Sequence, residues 1–163
     1  MDRIKILINK IIWCRIAKLI NRLLYMNYFV IGGGREEHSL TIDKTAAIAW
    51  NSLLNLNGWN IIIKPYAMIS QNVSLITWTH DYTKFWMERM CSLYPKNTEW
   101  YMFKWDIIIE EWAWLCNNVT IIWPCIIGKN SVVAAWSVVT KNVPDYVIVW
   151  WNPAKIIKKI PIK

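Results

Sequence analysis

Only two histidines occur in the chain, His38 and His80, so the choice of a side-chain base that works near neutral pH is short. Such a base takes the proton from an attacking hydroxyl or amine, and a neighbouring carboxylate can orient its ring. His80 stands in Thr79-His80-Asp81, at the end of an apolar stretch and at the start of an aperiodic one. Asp81 is the candidate orienting group, a role a backbone carbonyl would serve equally. His38 follows Gly34-Arg35-Glu36-Glu37, a charged segment in which a histidine reads as solvated. Cys14, Cys91, Cys116 and Cys125 have no paired spacing and read as small buried apolar residues. With two histidines to join them they make a poor zinc site, so no metal is expected.

The elements that position these groups must come from one domain of 163 residues. A hydrophobic fraction of 55% against 18% charged residues excludes a disordered tail. The net charge is +8, but Lys and Arg gather at the two ends of the chain and form no Arg-rich block, so no nucleic-acid partner is expected. There is no uncharged apolar run of 18 residues, and Lys10 and Arg15 interrupt any secretory h-region. A cytoplasmic location is the expectation.

The organising feature is a period of six. Ile109, Leu115, Ile121, Ile127, Val133 and Val139 share one register, and Ile63, Ile69 and Leu75 repeat it upstream, as do Ile42, Ile48 and Leu54. Four places after each comes a small or β-branched residue, among them Ala67, Val73, Ala113, Val119, Ser131 and Ser137. A helix turns about 100° per residue, so residues six apart drift about 120° around it and form no stripe. A triangular prism with one hexad per side accounts for the spacing. The apolar residue points inward, the small one fits beside the corner, and three hexads make a coil of a parallel β-helix.

The period sets the organisation. It predicts an all-β single domain over 1–163, with coils at 40–80 and 106–149 and a projecting loop at 81–105. Residues 1–35 read as an N-terminal amphipathic helix, which fits equally a cap on the first coil and a membrane-surface contact. Residues 150–163 read as a short basic C-terminal helix or tail, with Pro153 in its first turn.

Residues 106–160, with ISQNVSLITWTHDY upstream, closely resemble the hexapeptide-repeat acyltransferases; SVVTK and NPAK complete the match. These are left-handed parallel β-helix enzymes, among them maltose, galactoside and serine acetyltransferases. The chain departs from them in one systematic way. Trp stands at 78, 105, 112, 123, 136, 150 and 151, and at corner position 50, where the family commonly has Gly. Average usage gives about 11 Gly in such a length, whereas this chain has 5 Gly and 13 Trp. One cause fits one residue type at so many sites: UGA codons that the source organism reads as glycine, rendered as tryptophan. UGG in the coding DNA at positions 136, 150 and 151 refutes it.

The resemblance implies an acetyltransferase moving an acetyl group from acetyl-CoA to a hydroxyl of a sugar or glycan, with His80 as general base. It implies acceptor contacts from Asn51, Asn57 and Trp114, although both asparagines also suit corners and Trp114 also suits plain packing. Asn117, Ala135, Thr140 and Lys141 would line the coenzyme groove, with Lys155 and Lys158 near its phosphates. It implies a homotrimer with sites between prisms. An amino-sugar N-acetyltransferase is a close variant, because the same base serves an amine. A non-catalytic β-helix serving binding or assembly is the alternative of a different class. A metalloenzyme on the same prism needs three histidines per metal, and the chain has two.

Overall fold

The computed structural model describes residues 28–32, 39–80 and 102–162. Short strands of β-branched and aliphatic residues, cut by turns every few positions, wind as successive coils. The first coil is β2 (Leu40–Ile42), β3 (Ala47–Ile48) and β4 (Ser52–Leu56), with β1 (Tyr28–Gly32) beside it. The second is β5 (Ile61–Ile63), β6 (Met68–Ile69) and β7 (Ser74–Ile76), after which a hairpin of β8 (Trp78–His80) and β9 (Met102–Lys104) leaves the prism. The third is β10 (Ile107–Ile109), β11 (Trp114–Leu115) and β12 (Thr120–Ile121). The fourth is β13 (Cys125–Ile127), β14 (Val132–Val133) and β15 (Val138–Val139), followed by β16 (Val147–Trp150) and β17 (Lys155–Lys159).

Like strands of successive coils pair in parallel and make three faces. The first face is β2-β5-β10-β13, the second β3-β6-β11-β14-β16, closed by β17, and the third β1-β4-β7-β12-β15. From the third coil to the fourth the register repeats every 18 residues, as in Ile107 beside Cys125 and Thr120 beside Val138. Between the first and second coils three extra residues, 57–59, bulge out at the corner between third and first faces, so Ile48 pairs with Ile69.

The six-residue register is the inside of the prism. Leu54, Ile63, Ile69, Leu75, Ile109, Leu115, Ile121, Ile127, Val133 and Val139 are each at most 2% exposed. Ala67, Val73, Ala113, Val119, Ser131 and Ser137, each two places before an inward residue, are fully buried beside them. Alternation along a strand explains both sets, since residues two apart share a side. Burying each large aliphatic group contributes roughly 1.5–3 kcal/mol, which makes this column the main source of stability.

Two corners are made by residues in the left-handed region. Tyr66, Trp112, Asn130 and Tyr146 hold φ of 52–59° between first and second faces. Asn51, Asn72, Asn118 and Trp136 hold φ of 57–64° between second and third. Each stands three places before an inward residue. Asn accepts this conformation readily and other L-residues at a cost. Trp112 and Trp136 therefore occupy backbone that favours glycine, as does Trp151 after β16 with φ 96°. Trp50, Trp78, Trp105, Trp123 and Trp150 do not, so positive φ accounts for only part of the tryptophan pattern.

Three expectations are corrected. The short C-terminal helix is instead β17, antiparallel to β16. The last coil leaves the edge of β16 open, and satisfying its ladder with Ile156 and Ile157 outweighs a weak helical preference. Residues 28–32 of the expected N-terminal helix form β1, paired in parallel with β4, because aromatic and β-branched residues there close the edge of the first coil; the helix expected over 1–27 lies outside the described residues. The loop expected over 81–105 does not run to its end: residues 102–104 are β9, paired with β8 in the hairpin, and Trp105 is already inside the prism, at 6% exposure. Among the described residues no helix is long and apolar enough to cross a membrane.

Candidate active site

The corner between third and first faces differs from the other two. Among the described residues it uses no left-handed residue, and it carries the bulge at 57–59, the hairpin that holds His80 and a two-residue shortening at 140–142, after which Ile127 pairs with Val143. Down this corner lie Asn57, the hairpin root at Thr77 and Trp105, then Trp123, then Thr140 and Lys141. Trp105 and Trp123 pack with ring centroids 5.4 Å apart.

The root is built from buried polar contacts. Thr77 is fully buried, and its Oγ1 accepts the N–H groups of Gly58 (3.0 Å) and Trp59 (3.2 Å) while donating to the Asn55 carbonyl (2.7 Å). The Trp105 N–H donates to the Thr77 carbonyl (3.0 Å), and Trp105 Nε1–H to the Ile76 carbonyl (2.9 Å). The two ends of the excursion are thereby tied together. The bulge is tied in turn to the returning strand, since the Asn60 N–H donates to Asp106 Oδ1 at 3.0 Å. Gly58 is required here: a Cβ would collide with the Thr77 carbonyl oxygen. From this root β8 runs out to His80, whose backbone pairs with Met102. Asp81 lies outside the described residues.

The other expected site residues divide by face. Asn57 sits in the bulge, exposed, its N–H held by Asn55 Oδ1 at 3.0 Å. Asn51 is at the next corner with φ 61°. Asn117 and Ala135 stack at that same corner on successive coils, with the Trp136 N–H donating to the Asn117 carbonyl at 3.1 Å. Trp114 lies on the second face, opposite the His80 corner, 42% exposed, its Nε1–H donating to Ser70 Oγ at 3.0 Å. Lys155 and Lys158 are exposed on β17. A single prism thus brings Asn57, Thr140 and Lys141 to the His80 corner and keeps Asn51, Asn117, Ala135 and Trp114 away from it. Sequence reasoning missed Thr77, Gly58 and Trp105; the signal available was a lone glycine in the three-residue interruption of the period.

Burial keeps the described cysteines in their thiol form. Burial pushes the Cys125 thiol up to about 12 and raises Cys116 as well, so neither holds much thiolate near neutral pH. Among the described residues no cluster of three or more His, Cys, Asp or Glu side chains could hold a metal ion.

Hexads filling a three-faced column define a left-handed parallel β-helix. A protein of Saccharomyces cerevisiae named as an acetyltransferase, YJL218W, is 34% identical over 113 residues, 69% of this chain and 53% of its own length. The galactoside O-acetyltransferase of Lactococcus lactis is 30% identical over 128 residues, 78% of this chain and 55% of its own. The crystal structure of a maltose O-acetyltransferase from Clostridium difficile superposes with a TM-score of 0.55 at 24% identity, covering 84% of this chain and 61% of that one. No protein-family model matches the chain. The chain belongs to the hexapeptide-repeat acetyltransferases, and it spans about half the length of the curated relatives it matches.

Proposed function

We propose that the protein transfers an acetyl group from acetyl-CoA to a hydroxyl of a sugar or glycan, with His80 as general base. The carrying observation is the prism corner where the period breaks: the strand bearing His80 leaves there, in line with Thr140 and Lys141. The neutral imidazole takes the proton of the acceptor hydroxyl as its oxygen adds to the thioester carbonyl. The tetrahedral intermediate collapses by breaking the C–S bond, and the imidazolium returns the proton to the departing thiolate. Asp81 orients the ring. Thr140 and Lys141 hold the coenzyme, and Lys155 and Lys158 contribute positive charge toward its phosphates.

Asn51, Asn117, Ala135 and Trp114 lie on other parts of the surface, and this favours a site completed by a neighbouring prism in a homotrimer. Sedimentation is expected to give the mass of three chains. The acceptor class follows the galactoside relative. The test follows release of coenzyme A thiol from acetyl-CoA over a panel of hexoses, their methyl glycosides and amino sugars. His80→Ala is expected to lose a hundredfold or more of kcat, the usual scale for a positioned base. Undiminished turnover in that variant removes the mechanism.

A further inference from the structure

We propose that Thr77 is the positioning residue for His80, with Trp105 as its clamp; this rests on the reading of His80 as the base. Three observations carry it. First, the strand that holds His80 lies outside the three prism faces, in a separate two-stranded sheet with β9, and joins the prism through Thr77. Second, the direction in which it leaves is set at Thr77. There one fully buried hydroxyl serves two N–H donors from the bulge and one carbonyl of β4, and the residue's own carbonyl takes the Trp105 N–H. Third, the bulge lies at the level of the hairpin root and its glycine is packed against Thr77, so the interruption at 57–59 serves the root.

The lever is short but steep. His80 is three residues beyond Thr77, about 10 Å along extended chain. A tilt of about 6° at the root moves the histidine backbone by about 1 Å, and misplacement on that scale costs on the order of a hundredfold in rate. Valine at 77 keeps the shape and removes the hydroxyl, leaving the buried Gly58 N–H, the Trp59 N–H and a carbonyl without this partner. Serine keeps the hydroxyl. Phenylalanine at 105 keeps an aromatic ring and removes the donor to Ile76.

The test uses the full chain labelled with 13C at histidine Cε1. It gives two ring signals, because the chain has two histidines, and His80→Ala tells them apart. Thr77→Val is expected to shift or split the His80 signal, to leave the His38 signal in place, and to lower kcat 10- to 100-fold with KM for acetyl-CoA within threefold. Thr77→Ser is expected to keep the signal and to stay within threefold of wild-type kcat. Trp105→Phe, the second variant should Thr77→Val not fold, is expected to shift the same signal. The kcat comparison is read on whichever sugar of the panel the wild type acetylates, and the signal comparison needs no acceptor. An unmoved His80 signal in Thr77→Val or in Trp105→Phe overturns the positioning role, and an inactive His80→Ala then leaves the base standing. Full turnover in His80→Ala overturns both.

Discussion

Trp136 offers a sharp test of how the corners are made. Its backbone sits at φ 64° and its side chain is 74% exposed. An L-residue in that region carries a penalty of about 1–2 kcal/mol that glycine escapes. Glycine in turn gives up about 0.5–1 kcal/mol of chain entropy relative to alanine. Replacing Trp136 by Gly and by Ala removes the same indole, so contacts of the ring cancel between the two variants. The difference isolates the backbone, and glycine is expected to be the more stable by about 0.5–1 kcal/mol. At Trp114, in β11, the sign reverses, because a strand residue has no such penalty and alanine keeps its entropic advantage. Urea unfolding of the four variants reads the differences as shifts in midpoint at constant slope. Thermal midpoints would part by about 1–4 °C at position 136. Alanine equal to or better than glycine at 136, or the same sign at both positions, refutes the reasoning. Trp112 has nearly the same backbone but stacks on Tyr66 with centroids 4.4 Å apart, so both of its variants lose that stacking and only their difference is diagnostic.

Two further outcomes follow from the core. Because burial raises the Cys125 thiol from 9.0 to about 12, the folded chain holds its proton where the unfolded chain has released it. Stability from this group is therefore complete below pH 9 and falls as pH rises toward 12, by up to about 1.4 kcal/mol per pH unit. Denaturant midpoints between pH 8 and 10.5 should show a shallower decline in Cys125→Ala than in the wild type, and equal slopes would refute the assignment. Ser137 Oγ is buried without a hydrogen-bond partner among the described residues. Ser137→Ala should raise stability by about 1 kcal/mol, since it removes an unsatisfied group of small volume. A fall in the unfolding midpoint would show that the hydroxyl has a partner after all.

The period of six by itself specifies the prism. Side chains that must fill a column of fixed cross-section leave a mark on every sixth residue, as at Leu115, Ile121 and Ile127, and that mark is local and repeated. The same repetition made His80 visible as the residue at which the pattern stops. What the sequence did not disclose depends on contacts between distant parts of the chain. Lys155–Lys159 carries a weak local preference, and its strand exists because β16 ends the second face with an open edge. Thr77 looks like any small residue until the bulge at 57–59 is brought against it. The division of Asn57, Thr140 and Lys141 from Asn51, Asn117 and Trp114 follows from which corner each coil presents, a property of winding that no single hexad contains. Periodicity is written in neighbours along the chain; the corner from which the His80 strand leaves is made by neighbours across it.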